Sequence, residues 1–407
     1  MRQPTDVVII GAGPYGLSLA AHLQARGIDF RIFGRPMGTW AEHMPKNMTL
    51  KSEGFASNLC APTSDFTLSA WSRRTGVPHA DRDLPITLDK FLAYANAFRE
   101  RFVPDLENRQ VTSLSRTATG FSLTLDDGEE VAAKQVVMAV GVSCFAYMPS
   151  MLAALPFDLI SHSYDYREVS QFKGKKVGVL GTGSSAIDLA HQLRLEGASP
   201  LIIGRAEQIQ YNIVPDPARH TLLYRLQNPP SPIGRGWRSY FCATAPLAFY
   251  RLPQHLKDRA IASHTHAAGG WFMREQVESI IPTLLGRTLI KAEAQHGRVE
   301  LTLETRDGSH EVEIFDHVVA ATGYRVDLKR IPFLSEALKA QIELVGSSPW
   351  VSDNFETSVP GLYSIGLSAM QMFGPLLRFM VGAEFVAPRL SAHLDRTAER
   401  MTTREAA

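Results

Sequence analysis

Two stretches of this sequence have the residue types and spacing to hold phosphate. Gly11-Ala12-Gly13-Pro14-Tyr15-Gly16 follows the apolar run Asp6-Val7-Val8-Ile9-Ile10. Gly181-Thr182-Gly183-Ser184-Ser185-Ala186 follows Val177-Gly178-Val179-Leu180. In each, the first glycine allows a tight strand-to-helix bend. The second lets the backbone approach a pyrophosphate, and the third position, Gly16 or Ala186, lets helix and strand pack closely. The helix N-terminus then aims free N–H groups and a partial positive charge at the phosphates. One such turn is weak evidence. Two of them, 181 − 11 = 170 residues apart, predict two bound dinucleotides and electron transfer between them.

The elements that position these turns are legible around them. Residues 6–33 read as strand, helix and strand, with Leu17, Ala20, Ala21 and Leu23 facing a sheet and Gly27 as the C-cap. Residues 34–85 are loop-rich, and 87–103 carry helical spacing in Phe91, Leu92, Tyr94, Ala95 and Phe98. Strands are expected at 110–115, 121–125 and 130–131, turning at Asp127-Gly128, with a separate buried strand at 135–140. Residues 175–203 repeat the strand, turn, helix and strand. A long mixed stretch, 210–285, is followed by a hairpin and a buried strand ending at Ala321. A last strand at 361–365 and a closing helix at 375–395 complete the reading.

Composition narrows the class. The 407 residues suffice for two or three domains with a large core. With 42 basic and 41 acidic residues the net charge is +1, and no basic stripe points to nucleic acid. Cys60, Cys144 and Cys242 form no C-x-x-C pair, which removes a dithiol redox centre and a thiolate zinc cluster and suits a reducing cytoplasm. His255, His264 and His266 lack carboxylate or thiol partners nearby, so no metal site is expected. The first strand begins within six residues and no apolar stretch reaches transmembrane length, so neither a leader nor a span is predicted. Residues 236–252 are aromatic and apolar; core, channel wall and membrane contact all suit that composition.

Together with Ala320-Ala321-Thr322-Gly323-Tyr324, the two turns resemble those of the flavin-containing and N-hydroxylating monooxygenases, which use FAD and NADPH. Gly361-Leu362-Tyr363-Ser364-Ile365-Gly366 resembles the strand that returns to the FAD. The resemblance spans almost the whole chain. It implies an α/β fold of two Rossmann-like dinucleotide-binding domains, with the NADPH domain inserted in the FAD domain. The expected division is 1–155 and 325–407 for FAD, and 156–324 for NADPH with a long mixed insertion.

The resemblance also assigns residues. FAD contacts are implied for Gly11, Gly13, Pro14, Tyr15 and Gly16, with Trp40 near the flavin and Gly366 on the returning strand. NADPH contacts are implied for Gly181, Gly183, Ser184 and Ser185, and cofactor contacts, without a division between the two, for Met48, Val111, Gly141, Thr322, Gly323 and Tyr324. Ala56-Ser57-Asn58-Leu59 resembles the segment whose Asn reaches the reactive flavin edge, since an amide donates and accepts at once. Lys51 lies where a substrate carboxylate would be met. The linker motif His162-Ser163-Tyr164-Asp165-Tyr166 matches only in its second half, because Phe157 stands five residues before His162 and Asp158 replaces a glycine. His162 therefore reads as a brace between domains.

Three departures refine the expectation. No acid follows either second strand where a ribose would bind. Arg205, after Leu201-Ile202-Ile203-Gly204, suits a bidentate grip on a 2′-phosphate and so favours NADPH. Arg35, after Phe33-Gly34, is expected to meet the adenosine half of FAD by stacking or charge. Leu367 stands where disulfide reductases of similar fold carry an Asp on the ribityl arm. The expected activity is oxygenation of a small molecule's nitrogen or sulfur by NADPH and O2 through a flavin hydroperoxide. A reductase of a small acceptor and a non-catalytic nucleotide sensor are the alternatives, and a homo-oligomer stays open.

Overall fold

A computed structural model describes residues 4–214, 216, 221–264 and 268–405, the last eight of these in backbone only. His266 lies outside the described residues. The chain builds two units, each around a set of parallel strands buried on both faces.

The first unit starts with β1 (Thr5–Ile10), α1 (Pro14–Arg26) and β2 (Phe30–Phe33). Gly27 caps α1 in the left-handed region at φ 68°, and its N–H reaches Gln24 O at 3.1 Å. Then come α2 (Gly38–Glu42), α3 (Leu68–Thr75) and α4 (Leu88–Phe102). Strands β3 (Val111–Arg116), β4 (Phe121–Leu125) and β5 (Glu130–Met138) complete this run. The sequence reading split β5 in two; it is one strand. Its first half pairs antiparallel with β4 and its second half parallel with β1. Alanines at 132 and 133 carry it from one neighbour to the other.

The second unit follows a short helix α5 (Ser150–Ala153) and β6 (Ile160–His162). It contains β7 (Lys176–Leu180), α6 (Ser184–Leu195) and β8 (Ser199–Gly204). After α7 (Leu222–Gln227) come the two-residue strands β9 (Pro230–Ser231) and β10 (Gly234–Arg235) and the helix α8 (Trp237–Thr244). Next are β11 (Thr283–Leu285), β12 (Thr288–Gln295), β13 (Arg298–Glu304), β14 (His310–Phe315) and β15 (His317–Ala320). The expected hairpin is thus a three-stranded meander, β12-β13-β14. The ribbon β16 (Leu344–Val345) and β17 (Ser348–Pro349) leads to β18 (Leu362–Ser364).

Strand order is β2-β1-β5-β4-β3 in the first sheet, with β18 parallel to β5, and β11-β8-β7-β15-β6 in the second. Alternation assigns the two faces. Val7 and Ile9 enter one core and Val8 and Ile10 another. In the second sheet Ile202 enters one core and Leu201 and Ile203 the other. Burial on both faces is the pattern of parallel sheets. The closing helix spans Ala383–Glu405, eight residues later than expected at its start. Gly374, Pro375 and Gly382 break the preceding stretch into short 3-10 turns. Among the described residues no helix is long and apolar enough to cross a membrane.

Candidate functional site

Parallel pairing puts the C-terminal ends of β2, β1, β5 and β18 at one edge of the first sheet. Each end runs into a residue singled out above: Arg35, Gly11, Gly141 and Gly366. Gly11 has φ 115°, and a Cβ there would meet Ala139 O at 2.4 Å. A Cβ on Gly16 would meet Gly11 O at 1.9 Å, so helix and strand pack as that position requires. Gly13 differs. A Cβ there meets nothing within 4 Å, so the space in front of α1 is open. Pro14 sits in the first turn of α1, where its missing N–H costs nothing. Gly13 caps α1 without a side-chain bond, and no acid lies in the first turn. By contrast Thr67 and Thr87 cap α3 and α4 with their own hydroxyls.

Tyr15 turns away from that space. Its hydroxyl donates to Phe379 O at 2.7 Å and Leu377 O at 3.1 Å, and its ring lies against Gly366. Burial raises its pKa well above the ordinary value. Ser364 and Ser368, flanking Gly366, bury hydroxyls that have no partner among the described residues. Leu367 packs against the Val8 core. Arg35 is exposed and pairs with Glu42, an acid that the sequence pattern did not supply. Val111 opens β3 opposite Leu125, at the far edge of the sheet.

The second sheet repeats the arrangement. Gly181 has φ 140°, and a Cβ there would meet Ala321 O at 2.3 Å. Gly183 caps α6 with no side-chain bond and no acid in the first turn. Thr322, Gly323 and Tyr324 leave β15 beside this turn, and the Thr322 hydroxyl donates to Tyr147 O. Arg205 follows the end of β8 and is exposed.

A cavity of about 710 Å³ lies between the two units. Trp40, Met48 and Lys51 line it from the first; Ser184, Ser185, Asp188 and Tyr324 line it from the second. Trp40 sits in α2, its ring edge-on to Phe91 at 4.9 Å. Lys51 is mostly buried and paired. Its ammonium donates to Asp188 on α6 and to Thr49 O at 2.8 Å. Burial pushes the Asp188 carboxyl above the usual range, and Lys51 pulls it the other way. Two buried wall hydroxyls, Ser163 Oγ and Tyr211 OH, have no partner among the described residues. Burial pushes Tyr211 up to about 12.

Asn58 is placed behind the wall. Its amide nitrogen donates to Phe55 O at 3.0 Å and its oxygen accepts from Leu68 N at 2.8 Å. Phe55 and Ala56, not Asn58, line the cavity. His162 ties the end of β6 to the segment that leaves β15. Its Nδ1 accepts from Tyr164 N at 3.0 Å, so Nε2 carries the hydrogen donated to Gly323 O at 3.1 Å. Sequence reasoning missed Asp188, Tyr211 and Ser163 as wall residues. Asp188 alone carried a signal, standing one helical turn beyond Ser184 on the sheet-facing helix. Among the described residues no three potential ligands gather to hold a metal, and the three cysteines are free.

The pyridine nucleotide-disulphide oxidoreductase family profile matches residues 8–221, more than half of the chain. Rice indole-3-pyruvate monooxygenase YUCCA1 is 28% identical over 209 residues, 49% of this chain and 47% of that protein. A Mesorhizobium japonicum ferredoxin–NADP reductase is 28% identical over 213 residues, 51% of this chain and 54% of that one. The chain spans about half the length of these curated relatives. The Kutzneria ornithine N-hydroxylase structure, with reduced FAD, NADP+ and L-ornithine, aligns at TM-score 0.77 and 15% identity, covering 97% of this chain and all of that one. Pseudomonas aeruginosa ornithine hydroxylase aligns at 0.75 and 17%, covering 97% and 99%. At such identities the likeness establishes the fold: two Rossmann-like units as in flavoprotein monooxygenases.

Proposed function

The chain belongs to the pyridine nucleotide-disulphide oxidoreductase family, and on that premise we propose that it is an NADPH- and FAD-dependent monooxygenase acting on a nucleophilic nitrogen or sulfur of a small molecule. The observation that carries this reading is the cavity itself. It lies between the two units, takes Ser184 and Ser185 from the second glycine turn, and has no dithiol beside it. A disulfide reductase of this family needs such a pair, and Leu367 supplies no carboxylate for a ribityl arm.

The residues fit the two cofactors. Gly13 opens the space that a pyrophosphate needs before α1, and the uncapped N–H groups there suit its charge. Ser364 and Ser368 offer hydroxyls at the end of β18. Gly183, Ser184 and Ser185 present the same kind of cradle before α6, with Arg205 in reach of a 2′-phosphate. This reading divides the chain at 1–155, 156–324 and 325–407; the pairing of β18 with β5 supports it. FAD, when bound, supplies acceptance of hydride from NADPH and activation of O2.

The chain's own residues do the remaining work. Trp40, Met48 and Tyr324 exclude water from the cavity. Asn58 fixes the Phe55–Ala56 segment on its wall, through the two bonds described. Ser163 and Tyr211 offer hydrogen bonds to what enters. Lys51 meets a substrate carboxylate only by sharing its charge with Asp188, so the pair presents little net charge. The free thiols suit a reducing cytoplasm.

The test is anaerobic reduction by NADPH followed by mixing with O2, with and without a nitrogen or sulfur nucleophile, while the flavin spectrum is recorded. Oxygenated product matching the NADPH consumed supports the reading. Electron transfer to an added acceptor, with O2 yielding only peroxide, supports a reductase instead, the activity named for the Mesorhizobium relative.

A further inference from the structure

The segment between the second glycine turn and the meander exposes an unusual surface. On α7, Leu222, Leu223 and Leu226 are 76, 67 and 60% exposed. On α8, Trp237 is 63% exposed, with Tyr240 and Phe241 also well exposed. Pro229 O accepts from Gly236 N at 2.9 Å, and Ser231 pairs with Gly234 across the β9–β10 ribbon. These bonds hold the end of α7 beside the start of α8. Leucines and aromatics are therefore exposed to water on two helices joined by one short ribbon.

Charge within the segment has one sign. Arg225 and Arg238 are exposed and Arg235, between them in sequence, is half-buried. From Thr221 to Lys257 the sequence contains no Asp or Glu. An apolar face rimmed by arginine is complementary to an anionic lipid surface, where apolar side chains enter the acyl boundary and guanidinium groups meet phosphate. A two-fold contact with a second copy would instead set arginine against arginine with no acid in the segment to offset it. We propose that α7, the β9–β10 ribbon and α8 form a peripheral docking surface for an anionic membrane. Contact at this depth needs no spanning helix. Pro230, Ile233 and Arg235 of the ribbon also line the cavity, so docking sets the cavity mouth at the lipid headgroups.

The test is flotation of the full-length protein with vesicles of phosphatidylcholine alone and of phosphatidylcholine mixed with phosphatidylglycerol. Binding at least about tenfold tighter to the anionic vesicles is expected, falling as salt rises from about 0.05 to about 0.5 M. Trp237 fluorescence should shift to shorter wavelength on binding, a shift absent in Trp237→Phe. Leu222→Ser/Leu223→Ser/Leu226→Ser and Arg225→Gln/Arg238→Gln should each weaken binding about tenfold or more while keeping the circular dichroism spectrum. Equal binding to both vesicle types, or none, overturns the proposal on the wild-type protein alone. A dimer in light scattering that the leucine variant dissolves overturns it in favour of self-association. None of these readouts depends on the reaction catalysed.

Discussion

Lys51 Nζ lies 2.9 Å from Oδ1 and 2.8 Å from Oδ2 of Asp188, joining the loop beyond the first sheet to the second turn of α6. The Phe272 ring covers the ammonium, its centroid 5.4 Å away. Asp188 is buried. The contact ties the two nucleotide units together across the cavity, and its energetics are those of a charge pair withdrawn from water.

Breaking that pair from one side should be costly. Lys51→Met leaves a buried carboxylate without its counter-charge, at about 3–5 kcal/mol. Lys51→Met/Asp188→Leu should recover most of that loss, because both charges are gone. Urea denaturation of the wild type, both single variants and the double variant measures the difference. A double variant as unstable as Lys51→Met would show that the pair is not the source.

The turns should separate by colour. A Cβ at Gly13 meets no protein atom within 4 Å, so Gly13→Val should fold but lose the yellow flavin to a side chain in the pyrophosphate space. Gly183→Val should stay yellow and reduce slowly with NADPH. Absorbance at purification and stopped-flow reduction check both. A yellow Gly13→Val protein that fails only with NADPH would reverse the order of the sites.

Cofactor choice should rest on Arg205. Arg205→Ala is expected to lose about 1–3 kcal/mol of NADPH binding, the scale of a charged hydrogen bond, with NADH little changed. Steady-state kinetics with both nucleotides decide it, since equal rises in both KM values would remove the assignment.

Asn58 acts here as a positioning residue. Asn58→Ala removes the acceptor for Leu68 N and the donor to Phe55 O, which predicts a stability loss of about 1–3 kcal/mol. It should also raise peroxide released per NADPH, because the wall at Phe55–Ala56 loosens. A fall in thermal midpoint with an unchanged peroxide ratio would confine Asn58 to the fold.

Acid should weaken the second unit around β6 and β15, where His317 bonds Ser161 and His162 bonds Gly323. Burial holds His162 and His317 below the ordinary value of 6.5. The unfolded chain takes up their protons as pH falls through about 6.5, while the folded chain keeps both rings neutral to lower pH. Their contribution is fully present above that pH and is lost below it. Protonating Nδ1 of His162 also ends its acceptance from Tyr164 N. Thermal midpoints should therefore decline from pH 7.5 to 5.5, and less steeply in His162→Gln. Equal slopes would clear His162.

What the sequence made legible follows from range. The glycine turns, the Gly27 cap and the helix at 88–102 are set by neighbours within a few residues, so their spacing predicts them. The Lys51–Asp188 pair was not legible, because its partners stand 188 − 51 = 137 positions apart and meet only when two units pack. The Arg35–Glu42 pair is local, seven positions apart, but depends on the left-handed turn at Met37, which no residue type there announces. The unity of β5 was obscured because its two halves face different environments. The first alternates beside a hairpin and the second is buried throughout.

The placement of β18 against β5 governs how this protein is made. Their pairing joins Leu362 to Val136, across 362 − 136 = 226 positions of chain. During synthesis, the edge of β5 emerges long before its neighbour, and every strand of the second sheet is translated in the interval. The nascent chain therefore carries an open strand edge, prone to misassembly, while the inserted unit takes shape. Such a distant closure also slows folding. A ribosome that stalls before Leu362 would release a chain with its second sheet complete and its first sheet open.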